Sequence, residues 1–202
     1  VFGGPGEMRA FYRGLDWSAS ALGPVELWPD ELTVVLRTML AAPLPMELVW
    51  GPELVEFLND ASKALFGERA FKTGAPLRLV WPELWSGLRP AYERVMRTGE
   101  ASMGTRVLYP IVENGRPVEH YFTFARIPLT TPAGVMGSWQ PFIDVTTEVL
   151  AERRMATLAR LAAVVRSRRI SNISRLSGSA AASSARRRFL PLSTFGHGVS
   201  SR

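Results

Sequence analysis

The stretch 103–144, MGTRVLYPIVENGRPVEHYFTFARIPLTTPAGVMGSWQPFID, decides the fold. It contains three long β-prone runs, MGTRVLYPIVE, RPVEHYFTFARIPL and GVMGSWQPFID, separated by two tight turns. Asn114-Gly115 joins the first pair, because an Asn-Gly dipeptide accepts the positive φ angles of a two-residue hairpin turn. TTPAG, 130–134, joins the second pair. Three consecutive strands linked in this way form an antiparallel meander. Upstream, Met46–Trp50 and Leu54–Leu58 are two short β-prone runs turned at Gly51-Pro52. A two-stranded hairpin alone is marginal, so these runs must pair with the meander. The expected fold class is α+β: one five-stranded antiparallel sheet with the mid-chain helices on one face.

The helices announce themselves by period and punctuation. In WPDELTVVLRTMLAA, Leu32, Val35, Leu36, Met39 and Leu40 form an apolar stripe, with Pro29 expected in the first turn and the PLP run at 43–45 as the stop. Asn59 or Asp60 should cap a short helix that ends at Gly67. LRPAYERVMRTGE carries Leu88, Ala91, Tyr92, Val95 and Met96 on one face and ends at Gly99.

Composition excludes several chemistries. Cysteine is absent, which removes disulfides, thiolate metal sites, cysteine nucleophiles and cysteinyl-flavin photochemistry. Only His120 and His197 are present, too few for a histidine metal cluster. There is no Walker motif, nucleophile elbow or dinucleotide fingerprint. No apolar run approaches the roughly 18 residues of a membrane span, and no signal peptide is expected, so a cytoplasmic location is. Charge is split along the chain. Residues 1–150 hold 13 Lys and Arg against 17 Asp and Glu, whereas 151–202 hold 11 Arg against Glu152 alone.

Taken in order, GLDWSASALGP with WPDEL, MELVWGPELVEFLNDA, LVWPELW, HYFTFARIPL and FIDVTTEVLAERR resemble a PAS domain, more narrowly the N-terminal PAS sensor domains of bacterial sensor histidine kinases. The last stretch contains Asp144-Val145-Thr146, which matches the Asp-apolar-Thr element closing such domains. The resemblance implies a helical N-terminal extension over 1–45, the PAS domain over 46–145, an exit helix over 146–165 and a basic tail over 166–202. It implies a sensory, non-enzymatic input domain of a two-component-type signalling protein, without its own kinase module. Such a domain binds a small ligand or a partner and relays through its exit helix to a downstream kinase or signalling domain. Asp144 and Thr146 are expected to offer side-chain oxygens to the first free N–H groups of that helix. Along it Ala151, Met155, Leu158, Ala162 and Val165 keep a four-three-four-three spacing. That spacing fits either a coiled-coil seam, hence a homodimer through helices, or an amphipathic helix packed on the domain's own sheet.

The resemblance also implies a small-molecule pocket between sheet and helices, although close packing of the interior is the default for any domain. Trp81, Trp85, Tyr92, Tyr121, Thr123 and Trp139 are the candidate lining residues. The first three could stack on a planar ligand or close the space by packing. Alternation alone does not say which set of each strand faces inward. Glu47, Glu53 and Glu56 lie near one another in sequence, but alternation parts Glu53 from Glu56, so no catalytic dyad is expected. His120 reads as an exposed strand histidine. Haem-binding relatives usually take their ligand from the helix before the sheet, and 88–98 has no histidine. The cofactor is therefore left open, with covalent flavin excluded and haem disfavoured.

From 166 onward the chain is rich in Arg, Ser and Ala without apolar period, a composition expected to be disordered. One reading is a nucleic-acid or acidic-lipid binding arm, making the whole a small nucleic-acid-associated protein. The other, which weighs more, is the product of a shifted reading frame in a GC-rich gene.

Overall fold

All three sequence-predicted hairpins form in the structure, a computed structural model that describes the backbone of residues 1–186 and the side chains of 1–168. Strands β1 (Met46–Trp50) and β2 (Val55–Leu58) join β3 (Ser102–Glu113), β4 (Arg116–Thr131) and β5 (Gly134–Asp144) in one antiparallel sheet, in the order β2-β1-β5-β4-β3. The β3–β4 turn is set by Asn114 and Gly115, at φ 50° and 77°. The first and last strands of the chain's β set meet in the middle of the sheet, where Leu48 pairs with both Phe57 and Trp139. Gly137 permits this close crossing, since a Cβ there would lie 2.6 Å from the Val49 carbonyl oxygen.

Each face of the β1–β2–β5 half is covered. On one face lie helices α1 (Glu7–Arg13) and α2 (Asp30–Ala41). They bury Met8, Tyr12, Leu32, Leu36 and Met39 against Leu48, Trp50 and Phe57. Trp17 stacks on Phe57 at 5.5 Å and meets Trp28 edge-on at 4.9 Å. The Tyr12 hydroxyl accepts from the Leu58 amide at 2.8 Å and bonds Thr73 Oγ1 at 2.7 Å, tying this layer to β2. The N-terminal segment thus completes the domain core, and Val1–Leu150 form one compact unit. On the other face lie α3 (Asp60–Phe66), α4 (Leu77–Val80) and α5 (Trp85–Thr98). They enclose a second apolar cluster around Val49, Leu77, Trp81, Leu88, Phe122, Phe124 and Phe142.

Local signals decide the helix ends. Asn59, not Asp60, caps α3, accepting from the Ser62 amide at 3.0 Å. Gly99 ends α5 in the left-handed conformation, φ 67°. Pro29 sits at the N-cap of α2 rather than in its first turn, because its ψ of 150° is extended.

The last helix, α6, runs from Thr146 to Arg186. This corrects the helix end expected at Val165, and with it the disorder expected from 166 up to Arg186. Five Arg and four Ala, all good helix formers, lie among the 21 residues that continue it, and no proline occurs between Thr146 and Pro191. The rest of the expected tail, 187–202, lies outside the described residues. Among the described residues no helix is long and apolar enough to cross a membrane.

Candidate functional site: a buried acid pair in an aromatic cavity

Between the sheet and α3–α5 lies a cavity of about 50 Å3. Its wall carries six aromatic rings, Phe66, Trp81, Tyr109, Phe122, Phe124 and Phe142, with Leu58, Leu84, Leu88 and Ile111 between them. Three polar side chains break this apolar wall: Glu47, Glu56 and Gln140, which are 7%, 1% and 8% exposed.

Strand geometry brings the acids together. Glu47 on β1 pairs with Leu58, and Glu56 on β2 pairs with Val49, so the two carboxyls stand two residues apart across an antiparallel ladder on the same face. Gln140 on β5 stands directly opposite Glu47. Its Nε2 donates to Glu47 Oε2 at 3.0 Å, and the Tyr92 hydroxyl donates to the same oxygen at 2.8 Å. Trp81 Nε1 donates to both oxygens of Glu56, at 2.8 and 3.0 Å. Gln140 Oε1 finds no hydrogen-bond partner among the described residues.

Burial penalises ionisation of both acids. Loss of water raises Glu47, partly offset by the Tyr92 hydroxyl and the charge of Arg126. Loss of water and the adjacent Glu47 charge push Glu56 well above the usual carboxylate range. Two carboxyls buried on one face of adjacent strands oppose each other's ionisation, which favours a proton held between them. Tyr92 rises for the same reasons, burial first and then the neighbouring Glu47.

Arg126 on β4 supplies the local positive charge. It is 6% exposed, and its guanidinium lies over the rings of Phe124 at 4.4 Å and Tyr92 at 4.9 Å. Its Nη2 donates to the Tyr109 hydroxyl at 3.0 Å, while its Nε finds no partner among the described residues. Arg126, Tyr109, Phe124, Leu84 and Leu88 also line a larger groove of about 540 Å3 between α5 and β3.

The sequence-predicted pocket residues divide. Trp81 lines the cavity, and Tyr92 lies behind its wall with its hydroxyl on Glu47. Trp85 is half-buried and lines a separate surface hollow with Leu54 and Met96. Tyr121, Thr123 and Trp139 are corrected: they stand on the opposite face, and Phe122, Phe124 and Gln140 point inward in their place. Thr123 Oγ1 accepts from the Arg106 amide, and Trp139 packs against the α1–α2 layer. Both faces of the β1–β2–β5 half are covered, so at Trp139 apolar character could not tell inside from outside. Glu53 stands apart in the β1–β2 turn, 2.6 Å from Arg78. Sequence reasoning missed Glu47, Glu56, Gln140 and Arg126 as a group. The available signal was register, because a four-residue hairpin turn brings positions 47 and 56 to one face. His120 is half-buried rather than exposed, bonded to Glu113 Oε1 at 2.8 Å and stacked on Phe122.

The cavity wall is tied to the start of α6. Phe122 follows Tyr121 in β4, and the Tyr121 backbone makes both bonds to the strand–helix junction. Its carbonyl accepts from the Val145 amide at 2.8 Å. Its amide donates to Thr146 Oγ1 at 2.9 Å. Asp144 Oδ1 accepts from the Thr146 amide at 2.8 Å, as expected of a cap. The Thr146 hydroxyl therefore reaches back to the sheet, a correction to its expected place on the helix N–H groups. Val149, in the first turn, is buried at 8% exposure.

No protein-family model and no curated protein matches the chain. Solved structures similar in architecture include an RNA-binding light-oxygen-voltage receptor, 21% identical, with 71% of this chain and 41% of that one covered and a TM-score of 0.45. The PAS domain of a protein from Colwellia psychrerythraea is 13% identical over 58% of this chain and 99% of its own, TM-score 0.43. The PAS domain of Bordetella pertussis BvgS is 19% identical over 65% of this chain and 98% of its own, TM-score 0.41. The present chain thus spans less than half of the first of these. With a five-stranded antiparallel sheet, flanking helices and a terminal helix leaving its last strand, the fold of this chain is PAS-like.

Proposed function

We propose that the chain is a sensory input domain of a two-component-type signalling protein. A small molecule entering the cavity alters the packing of β4 and β5, and α6 carries that change to a downstream kinase or signalling domain. The observation that supports this reading is the adjacency of Phe122 and Tyr121. One residue forms the cavity wall, and the backbone of the next makes both bonds to the strand–helix junction. The mechanism is a shift in population between two packings, driven by whichever one the ligand binds better.

The experiment is hydrogen exchange on the full chain. Phe122→Leu, which alters only the wall, is expected to speed exchange of the Val149 and Leu150 amides at least about threefold, while Phe57 on the far side of the sheet stays unchanged. Equal change at both places, or none at Val149, contradicts the relay.

The output form we propose is a homodimer through α6. Met155, Leu158 and Val165 are 67%, 60% and 65% exposed, and they share one coiled-coil spacing with Ala151 and Ala162. Sedimentation equilibrium should show a dimer that Leu158→Glu converts to monomer. A monomeric parent chain contradicts this part alone. If the Arg-rich segment instead makes this a nucleic-acid-associated protein, deleting 166–202 abolishes a salt-sensitive DNA or RNA binding that the parent chain shows.

A further inference from the structure

We propose that the cavity receives a small organic monocation, a primary alkylammonium head group whose N–H bonds are taken by Glu47, Glu56 and Gln140. This rests on the reading of the chain as a ligand-binding input domain and names the ligand class of that site.

Hydrogen-bond capacity is the first argument. The donors that reach the two acids are already engaged: Trp81 Nε1 on Glu56, Tyr92 Oη and Gln140 Nε2 on Glu47. What stays open is acceptor capacity, the remaining carboxyl lone pairs and the unpartnered Gln140 Oε1. A guest seated against the acids and Gln140 Oε1 must therefore donate.

The aromatic rings are the second. Those of Phe66, Trp81, Phe122 and Phe142 present π faces and edges around the acids, the surroundings in which an ammonium ion is attracted by ring quadrupoles.

Charge balance is the third. The ionisable or charged groups facing the pair are Glu47 on β1, Glu56 on β2, Tyr92 on α5 and Tyr109 on β3. Arg126 on β4 and Arg69, in the turn after α3, complete the set. Arg69 is balanced by its own ion pair with Glu83. Taken as sharing one proton, the two acids carry one negative charge, which Arg126 balances. When an ammonium ion enters and the shared proton leaves for solvent, only an O–H bond breaks, and the buried cluster stays neutral. An anion would leave it negative. A divalent ion would leave it positive, and no three metal-ligating side chains converge among the described residues.

Size sets the head group. About 50 Å3 holds roughly three waters at ~15 Å3 each, enough for an amine and its first carbons. A longer chain would extend past Leu84, Leu88, Tyr109 and Phe124, which border both the cavity and the 540 Å3 groove.

The test is calorimetric titration of the full chain at pH 7 with propylammonium, propan-1-ol and propionate, each in two buffers of different ionisation enthalpy. Propylammonium should bind saturably with release of about one proton, and the other two probes at least about tenfold more weakly. Glu56→Gln should abolish proton release and weaken propylammonium at least about tenfold. Gln140→Leu, which keeps both acids, should weaken it without abolishing release. Equal or tighter binding of propan-1-ol or propionate overturns the proposal, as does propylammonium binding without proton release, or no binding by any probe. The two readings fail separately. Propylammonium binding with proton release but without change in Val149 exchange sinks the relay and keeps the ligand class. A Val149 response to Phe122→Leu with no propylammonium binding sinks the ligand class alone.

Discussion

Asn59→Ala is expected to destabilise the domain by about 4 kcal/mol, because it strips a buried side chain of six hydrogen bonds at once. Asn59 is 0% exposed. Its Oδ1 accepts from the Met46 amide at 3.2 Å, the Ser62 amide at 3.0 Å and Ser62 Oγ at 2.8 Å. Its Nδ2 donates to the carbonyls of Met39, Ala42 and Leu44, at 3.2, 3.2 and 2.7 Å. One amide therefore joins the end of α2, the start of β1 and the start of α3. A lost cap alone costs about 0.5–2 kcal/mol, and each buried backbone group left without a partner costs about 1–3 kcal/mol more. Partial rescue by the Ser62 hydroxyl, which also bonds Met46, keeps the total below the sum. Urea unfolding followed by tryptophan fluorescence should show a lower midpoint at unchanged slope. A loss below about 1.5 kcal/mol would mean that the α2–β1 connection is held by other contacts.

The second large effect is on the pH dependence of stability. Glu56 has its folded-state ionisation pushed well above the usual 4.5 by burial and by Glu47. The folded chain thus binds more protons than the unfolded chain between that ordinary value and the raised one. Its stability is fully present below the unfolded value and declines as pH rises through the window, at up to about 1.4 kcal/mol per pH unit for one proton. Glu56→Gln keeps the shape and an N–H donor toward Glu47 but cannot ionise. The variant should therefore be more stable than the parent at pH 7.5 and less different at pH 5, with the slope between them largely removed. Thermal unfolding across that range measures this directly. A parent slope equal to that of Glu56→Gln would show that the acid pair ionises freely in the folded domain.

The sheet was legible because its signals are local. Asn114-Gly115, the Gly51-Pro52 turn and the caps Asn59 and Gly99 each specify a backbone conformation within a few residues. That the early hairpin joins the meander followed because short strands need partners, but its place beside β5 did not. The site was legible only in part, because its position depends on parity and burial. Trp81 and Tyr92 were identifiable as large aromatic residues of the helical layer. Trp139 failed because the N-terminal layer buries the other face of β1 and β5, so a large apolar residue is equally at home on either side; Tyr121 and Thr123 failed because the alternation along β4 does not say which set faces inward. Glu47 and Glu56 escaped because two carboxyls inside a core contradict composition-based expectation, and only their cross-strand register reveals that they meet. Thr146 was legible as a junction residue, but the atom it bonds was not. Its hydroxyl serves Tyr121, a contact of 25 positions that only the folded β4–β5 pairing creates.

The central claim is that the buried acid pair and the first turn of α6 are energetically coupled through β4. The most direct measurement is a double-mutant cycle of Glu56→Gln and Thr146→Val, read as the opening free energy of the Val149 amide by hydrogen exchange. Coupling predicts that the double variant departs from the sum of the single ones by at least about 0.5 kcal/mol. Additivity within about 0.3 kcal/mol would contradict it.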